Sequence, residues 1–361
     1  MLRRNKPVDT GQSPGRASCR RPVDKGRPHR HAARMAIRAH FQKLVDRVRL
    51  LPPLAAAVVY PCDRESLQVA MSGAFAGYLD PTLVGPEARI RETADRSGLD
   101  ISRLPIVGTD DDPRAAGVRA AELARDGRAA ALIRGSLGNE DLLGPVAAPE
   151  SGLRTERRLS HAYFLDIPGQ PRGLLLADAY MNVTPNLAAK RDIVQNTIQL
   201  ANAIGVAAPN VALLAAMDGP APAFRSTTDA VALKAMAMQG LFPGATVDGP
   251  LAPDSALSLE AARSKGVKSD IAGRADVLIG PSMESALMVL RTLLAVSGGL
   301  AAGIVVGARV PVVVPTRHDS LEVRMASCVL ASLLAAAARD GAKSEPVAGA
   351  LVPDTKARVA A

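Results

Sequence analysis

Thr316, Arg317, His318, Asp319 and Ser320 bring a hydroxyl, a guanidinium, an imidazole, a carboxylate and a second hydroxyl together behind the apolar run "GIVVGARVPVVVP" (303–315). A β-branched run of this kind reads as a buried strand. Asp319-Ser320-Leu321-Glu322 reads as a helix start, with Asp319 or Ser320 as N-cap and Glu322 placed for a reciprocal box. A helix N-terminus favours an anion through its dipole and its free N–H groups. Arg317 at that point would hold phosphate or carboxylate in bidentate fashion, with Thr316 as a further donor. Two blander readings stay open: Asp319 and Ser320 only cap the helix, and Arg317 makes a salt bridge to Asp319 or Glu322. His318 reads as a solvent-exposed neighbour rather than a base.

Such a turn needs a rigid scaffold, and the chain has one. From Leu50 onward, apolar runs alternate with amphipathic helical stretches: "AAAVVYPC", "TLVG", "PIVGT", "AALIRG", "GLLLADAYM", "NVALLAAM", "ATVDGPL", "ADVLIG" and "GIVVGA". Continuous rather than alternating apolar runs imply strands covered on both faces, hence mostly parallel sheets with helices on each side. The strands are too many for one comfortable sheet. The expectation is therefore an α/β protein of two domains with mostly parallel sheets around a cleft. The first domain takes residues 35–160 and 307–361, and the second takes 161–306. The polar stretch from Pro149 to Ala162 is the crossing and includes His161. The last helix, Asp319 to Arg339, packs back on the first domain, and function lies between the domains at strand carboxyl ends.

Composition removes several function classes. Aromatics are 2% with no Trp, so stacking platforms for single-stranded nucleic acid are absent. The net charge of +9 is concentrated at the start: residues 1–34 hold ten Lys/Arg against Asp9 and Asp24, which leaves 34 basic and 33 acidic residues for the rest. Nucleic acid is not an expected partner. Nor is a membrane, because no run reaches about 18 consecutive apolar residues and Leu330–Ala338 comes nearest. Cys19, Cys62 and Cys328 are odd in number and scattered, the five His are dispersed, and no metal-ligand spacing appears. A reducing cytoplasm is the expected location. No G-x-G-x-x-G, Walker loop, H-E-x-x-H or G-x-S-x-G is found.

Residues 1–34 read as a disordered basic tail without the apolar core of a secretory signal. A solvated tail, a mis-assigned start, a nucleic-acid arm and an organelle transit peptide are all compatible with that composition. Met35 opens directly onto the first amphipathic pattern, "AIRAHFQKLVDRVRLLPP", which favours a start there. A chain begun at Met35 is expected to keep its melting temperature and activity, as thermal unfolding and turnover would measure. A large loss of either would make the tail part of the working protein.

"GIVVGARVPVVVPTRHDSLEVRMASC" closely resembles the C-terminal signature of the phosphate acetyltransferase and phosphate butyryltransferase family. "LLADAYMNVTPNLAAKRDIVQNTIQLANAIGV" is similar to that family's D-A-x-x-N-x-x-P segment and following helix. "STTDAVAL", "VDGPLAPDSALS" and "GLRTERRLSHAYFLDIP" match further blocks, so the similarity runs roughly from Phe41 to Ala338 and leans toward the butyryl branch. The resemblance implies an isocitrate/isopropylmalate dehydrogenase-like fold. It also implies reversible transfer of a short acyl group between coenzyme A and inorganic phosphate. Coenzyme A is then a substrate, with no bound cofactor and no metal. The partners are small molecules (acyl-CoA, phosphate, acyl phosphate), and a homo-oligomer is expected.

By the same resemblance Arg317 holds the phosphoryl group, Thr316 stands where the family has Ser, and Asp319 is the available carboxylate, either base or orienter of the arginine. Gly135 and Ser136, in "RGSLGNEDL", would contact phosphate or CoA, and Ser320, Asp178 and Asn182 complete the substrate-binding set. An ordinary strand-to-helix turn would suit Gly135 and Ser136 equally, and a structural turn would suit Asp178 and Asn182. The sequence departs from the family at Gly138, a His there, at Val323, an Asp in the acetyl branch, and across Pro281–Leu287, "PDLEAGN" there. Those losses keep open a low-activity or non-catalytic paralogue that binds CoA or acyl phosphate in a regulatory role.

Overall fold

The computed structural model describes residues 39–344, so the basic tail and the Met35 start lie outside the described residues. The chain opens with α1 (Ala39–Val48), β1 (Leu54–Val59), α2 (Arg64–Phe75), β2 (Leu79–Gly85), α3 (Glu87–Ser97), β3 (Ile106–Gly108), α4 (Pro113–Arg125), β4 (Ala131–Arg134) and α5 (Asn139–Ala147). It continues through β5 (Ser160–Asp166), β6 (Leu174–Ala177), α6 (Leu187–Ala203), β7 (Asn210–Leu214), α7 (Arg225–Met238) and β8 (Thr246–Leu251). After α8 (Pro253–Leu257) and α9 (Leu259–Ser264) come β9 (Val277–Ile279), α10 (Met283–Ser297), β10 (Leu300–Val306), β11 (Val312–Val313) and α11 (Leu321–Ser344).

Local chemistry sets these boundaries. Asp63 caps α2 by accepting from Ser66 N at 2.7 Å. Asp112 accepts from Arg114 N and Ala115 N ahead of α4, whose first residue is Pro113. Ser282 and Ser285 form a reciprocal box at the start of α10. The strands that were expected to be covered on both faces are covered: β6 and β9 are buried throughout and β4 nearly so.

Two separate sheets were expected, but the described strands form a single eleven-stranded sheet, ordered β3-β2-β1-β4-β11-β10-β5-β6-β9-β7-β8. The first five strands run parallel, as do β6, β9, β7 and β8. Between these blocks lie β10 and β5, antiparallel to each other over seven residue pairs from Leu300↔Asp166 to Val306↔Ser160. β5 is antiparallel to β6 as well, and β10 to β11. These antiparallel junctions let one sheet exceed the usual size of an open parallel one.

The opening run is likewise two strands, not one. The chain turns back at Gly307, whose φ of +96° favours glycine, so β11 antiparallels β10 and then joins β4 in parallel. A side chain at Gly307 would also meet the Arg158 carbonyl at 2.6 Å.

The two faces of the sheet differ. On one face a single apolar core joins residues of α1, α2, α3, α6, α7 and α11 without interruption. On the other face the core is split, with one cluster under α4 and α5 and another under α8 and α10. α11 lies on the continuous face and packs against β10, α1 and α2, and more lightly against α6, β4 and β11, so it spans both blocks rather than the first alone. Its stretch Leu321–Asp340, with mean hydropathy 1.6, is long and apolar enough to cross a membrane, which a search for uninterrupted apolar runs overlooks. That stretch is mostly buried against protein, as in the core helix of a soluble domain.

Candidate active site

The carboxyl end of β11 leads into Thr316, and the Thr316–Asp319 turn is tightly bonded. Asp319 accepts from the Thr316 hydroxyl at 2.6 Å and from Thr316 N at 2.8 Å, while Asp319 N donates to the Thr316 carbonyl at 3.2 Å. Ser320 is the capping residue, its hydroxyl accepting from Val323 N at 3.3 Å. Asp319 therefore orients Thr316 and does not cap the helix. Arg317 is exposed beside this turn and forms no ion pair with any described carboxylate, so the salt-bridge reading does not hold. His318 is exposed, as expected.

Two further guanidinium groups flank the turn. Arg324, one turn into α11 and only 7% exposed, donates through Nη2 to the Thr316 carbonyl at 2.9 Å and through Nε to the Asp319 carbonyl at 3.1 Å. Arg134, the last residue of β4, donates to the Pro315 carbonyl and to Asn139 Oδ1 at 2.6 Å. Burial lowers the Arg134 pKa most, and the charges of Arg324 and Arg317 push it the same way. Three cations thus converge on one turn. The sequence reading singled out Arg317 alone. Arg324 had a signal, as a lone charge inside "VRMASCVLASLLAAAA", but its partners are backbone carbonyls that no residue pattern displays.

Gly135 and Ser136 form the strand-to-helix turn beside Arg134. Gly135 N donates to the Val59 carbonyl at 2.8 Å, and both the N and the hydroxyl of Ser136 donate to the Tyr60 carbonyl, at 2.9 and 3.0 Å. A Cβ on Gly135 would lie 2.5 Å from the Val59 and Tyr60 oxygens, so glycine is required by this close approach. Asp178 and Asn182 also stabilise a turn. The buried Asp178 carboxylate accepts from Tyr180 N, Met181 N and Asn182 N at 2.9, 3.0 and 3.2 Å. The Asn182 side chain donates to Asp178 and to the Leu159 carbonyl. In Pro281–Leu287, Ser282 caps α10, and Ala286 and Leu287 belong to the apolar cluster there.

The split face of the core is bridged by aromatic groups the sequence reading did not place there. The β5 residues His161 and Tyr163 have ring centroids 4.4 Å apart, and Tyr180, after β6, lies 5.4 Å from His161. β5, "SHAYFLD", is hidden in the sequence because it follows directly on the polar stretch from Pro149. Burial and then the charge of Asp319 push the Tyr163 phenol up to about 12, which places it within electrostatic reach of the turn. Tyr180 packs against the cluster under α4 and α5 and accepts from Asn139 Nδ2 at 3.0 Å.

His161 is 1% exposed, and burial holds its pKa down to about 3, so the ring is neutral in the fold. The unfolded chain takes up this proton below about pH 6.5 and the folded one does not. Stability is therefore lost as pH falls from about 6.5 toward 3, by roughly 2 kcal/mol between pH 7 and 5. Urea unfolding at the two pH values should show His161→Gln losing less than the native protein by about that amount. Equal losses would mean that His161 does not carry the effect.

A turn at the carboxyl end of β11 ringed by three arginines defines a protein with a cationic site suited to an oxyanion ligand. Among the described residues no group of three or more His, Cys, Asp or Glu is placed to hold a metal ion. The sequence profile of the phosphate acetyl/butaryl transferase family matches residues 114–332, and the chain belongs to that family. It is similar to the phosphate acetyltransferase of Rhizobium meliloti, 43% identical over 299 residues that cover 83% of this chain and 94% of that protein. It is also similar to the phosphate butyryltransferase of Clostridium acetobutylicum, 35% identical over 295 residues, or 82% and 98% of the two chains. Both branches appear, with the higher of these two identities on the acetyl side. The crystal structure of a branched-chain phosphotransacylase from Enterococcus faecalis V583 superposes with a TM-score of 0.68 at 26% identity, over 78% of this chain and 98% of that one.

Proposed function

We propose that this protein transfers a short-chain acyl group between coenzyme A and inorganic phosphate, with coenzyme A as a substrate and no bound cofactor. The observation that carries the reading is the exposed guanidinium of Arg317 at the Thr316–Asp319 turn, which pairs with no described carboxylate, in a chain of the phosphate acetyl/butaryl transferase family. Arg317 takes the phosphoryl group in bidentate fashion, and the neighbouring Arg134 and Arg324 raise the local positive potential. Thr316 presents a hydroxyl whose proton is held by Asp319, so its lone pairs face the reacting groups. Asp319 acts as the base through that hydroxyl. Gly135 and Ser136 shape the floor beside the phosphate, Ser320 fixes the helix start, and Asp178 and Asn182 hold the loop that carries Tyr180. Holding both substrates in one cleft makes the step effectively intramolecular.

The divided core supports a two-lobed reading of the isocitrate/isopropylmalate dehydrogenase type. Its boundaries at 160 and 307 coincide with the start of β5 and the end of β10. A homo-oligomer is supported by the exposed Met288 and Val296 on α10, and gel filtration with light scattering tests it. A cytoplasmic location is supported by the free thiols of Cys62 and Cys328. Nothing in the comparisons favours a non-catalytic regulatory paralogue. The deciding experiment incubates acetyl-, propionyl- and butyryl-CoA with phosphate while free thiol is followed. Phosphate-dependent thiol release from at least one of them is expected, and none from any would overturn the reading.

A further inference from the structure

A chain of hydrogen bonds beside the arginine turn ends on a donor that no described residue accepts from. Arg134 Nη1 donates to Asn139 Oδ1 at 2.6 Å, and Asn139 Nδ2 donates to the Tyr180 hydroxyl oxygen at 3.0 Å. The amide orientation is fixed at both ends, because only its oxygen can accept from a guanidinium and only its nitrogen can donate. The Tyr180 oxygen accepts in this chain, and its own proton goes to no described residue. Each bond polarises the next, so a cation at one end makes the phenolic O–H at the other a stronger donor. Tyr180 therefore presents a polarised O–H donor at the end of a chain anchored beside the arginine turn. Arg134 also touches the Pro315 carbonyl, which ties the chain to the residue before Thr316.

We propose that the Tyr180 hydroxyl donates to the acyl carbonyl oxygen and stabilises the negative charge that develops there, which makes Tyr180 a catalytic residue and Asn139 its positioning residue. The inference rests on the acyl-transfer reading. A phosphate oxygen attacks the thioester carbon, a C–O bond forms, and the carbonyl π pair moves onto the oxygen facing Tyr180. When the pair returns, the C–S bond breaks, coenzyme A leaves as thiolate, and the proton of hydrogen phosphate passes to the sulfur. Arg317 serves the phosphate and Tyr180 serves the carbonyl, so the two groups act on different atoms. In "DAYMN" the residue pattern singles out Asp178 and Asn182, while the structure gives those two to the turn and bonds Tyr180 to Asn139.

The test is Tyr180→Phe, which keeps the ring and removes the hydroxyl. Its kcat should fall on the order of 10²-fold, with KM for phosphate changed by less than about threefold and melting temperature preserved. Asn139→Ala should fall less, about tenfold, because the hydroxyl remains but loses its polarising partner. A binding measurement separates a carbonyl contact from a packing role. The carba analogue of acetyl-CoA, with a methylene in place of sulfur, keeps the carbonyl and cannot transfer. Tyr180→Phe should weaken its binding about tenfold, as for one lost hydrogen bond, and leave S-propyl-CoA, which lacks the carbonyl, unaffected. Native-like kcat in Tyr180→Phe, or equal weakening of both analogues, overturns the inference while leaving the acyl-transfer reading intact. A native protein that turns over no acyl-CoA overturns both.

Discussion

Arg317→Gln lowers kcat for phosphate-dependent acyl transfer by about 10²–10⁴-fold, several kcal/mol of transition-state stabilisation, while the melting temperature stays near native. The size follows from the site. Arg317 is the exposed guanidinium of the three at the turn, whereas Arg134 and Arg324 each hold backbone carbonyls. Neither can move onto a ligand without abandoning a bond to the protein. Arg317→Lys recovers only part of the loss, since an ammonium cannot match two phosphate oxygens at once. Thr316→Ser is nearly silent. Thr316→Val is clearly harmful, because it removes the hydroxyl and leaves an Asp319 oxygen without its 2.6 Å donor. Steady-state kinetics beside thermal unfolding separates the outcomes: a lower melting temperature with near-normal turnover would make Arg317 a structural residue.

Arg324→Met produces the second large effect, through the scaffold. The guanidinium is buried, and its two bonds to the Thr316 and Asp319 carbonyls close the turn from beneath. Methionine fills similar volume but leaves both carbonyls unmet, at a cost of about 3 kcal/mol from charged hydrogen bonds. Chemical unfolding should report that loss, and kcat should fall with it, because the Thr316–Asp319 geometry is no longer braced. Arg324→Lys should restore part of the stability through one of the two bonds. Unchanged stability in Arg324→Met would mean that solvent replaces the brace and the turn holds itself.

Much of this architecture could be read from residues alone. The apolar runs that became β1, β4, β6 and β9 announced themselves because parallel strands are covered on both faces. The last helix start was legible because a side chain caps its own helix, with Ser320 accepting from Val323 N. Failures came where long-range pairing decides. The run 303–315 looks like one strand because composition does not record that Gly307 reverses it, and only β4 and β10 together determine where each half pairs. β5 was missed because His161, Tyr163 and Asp166 give its seven residues a polar look, although the strand is almost wholly buried. The turn at Thr316–Ser320 lies where the sequence puts it, and Asp319, expected as base, orienter of the arginine or helix cap, bonds Thr316. Sequence spacing brings residues near one another without saying which partner wins.

The unequal faces of the sheet give the protein a spine and a fore-edge. Along the spine, one uninterrupted apolar mass under α11 ties the strands of both blocks together, and spreading it would expose core to water. Along the fore-edge the two apolar clusters do not merge, and the rings of His161, Tyr163 and Tyr180 span the gap. The molecule is therefore bound like a book, joined along the back by one apolar mass and divided at the margin, where aromatic rings sit between the two halves.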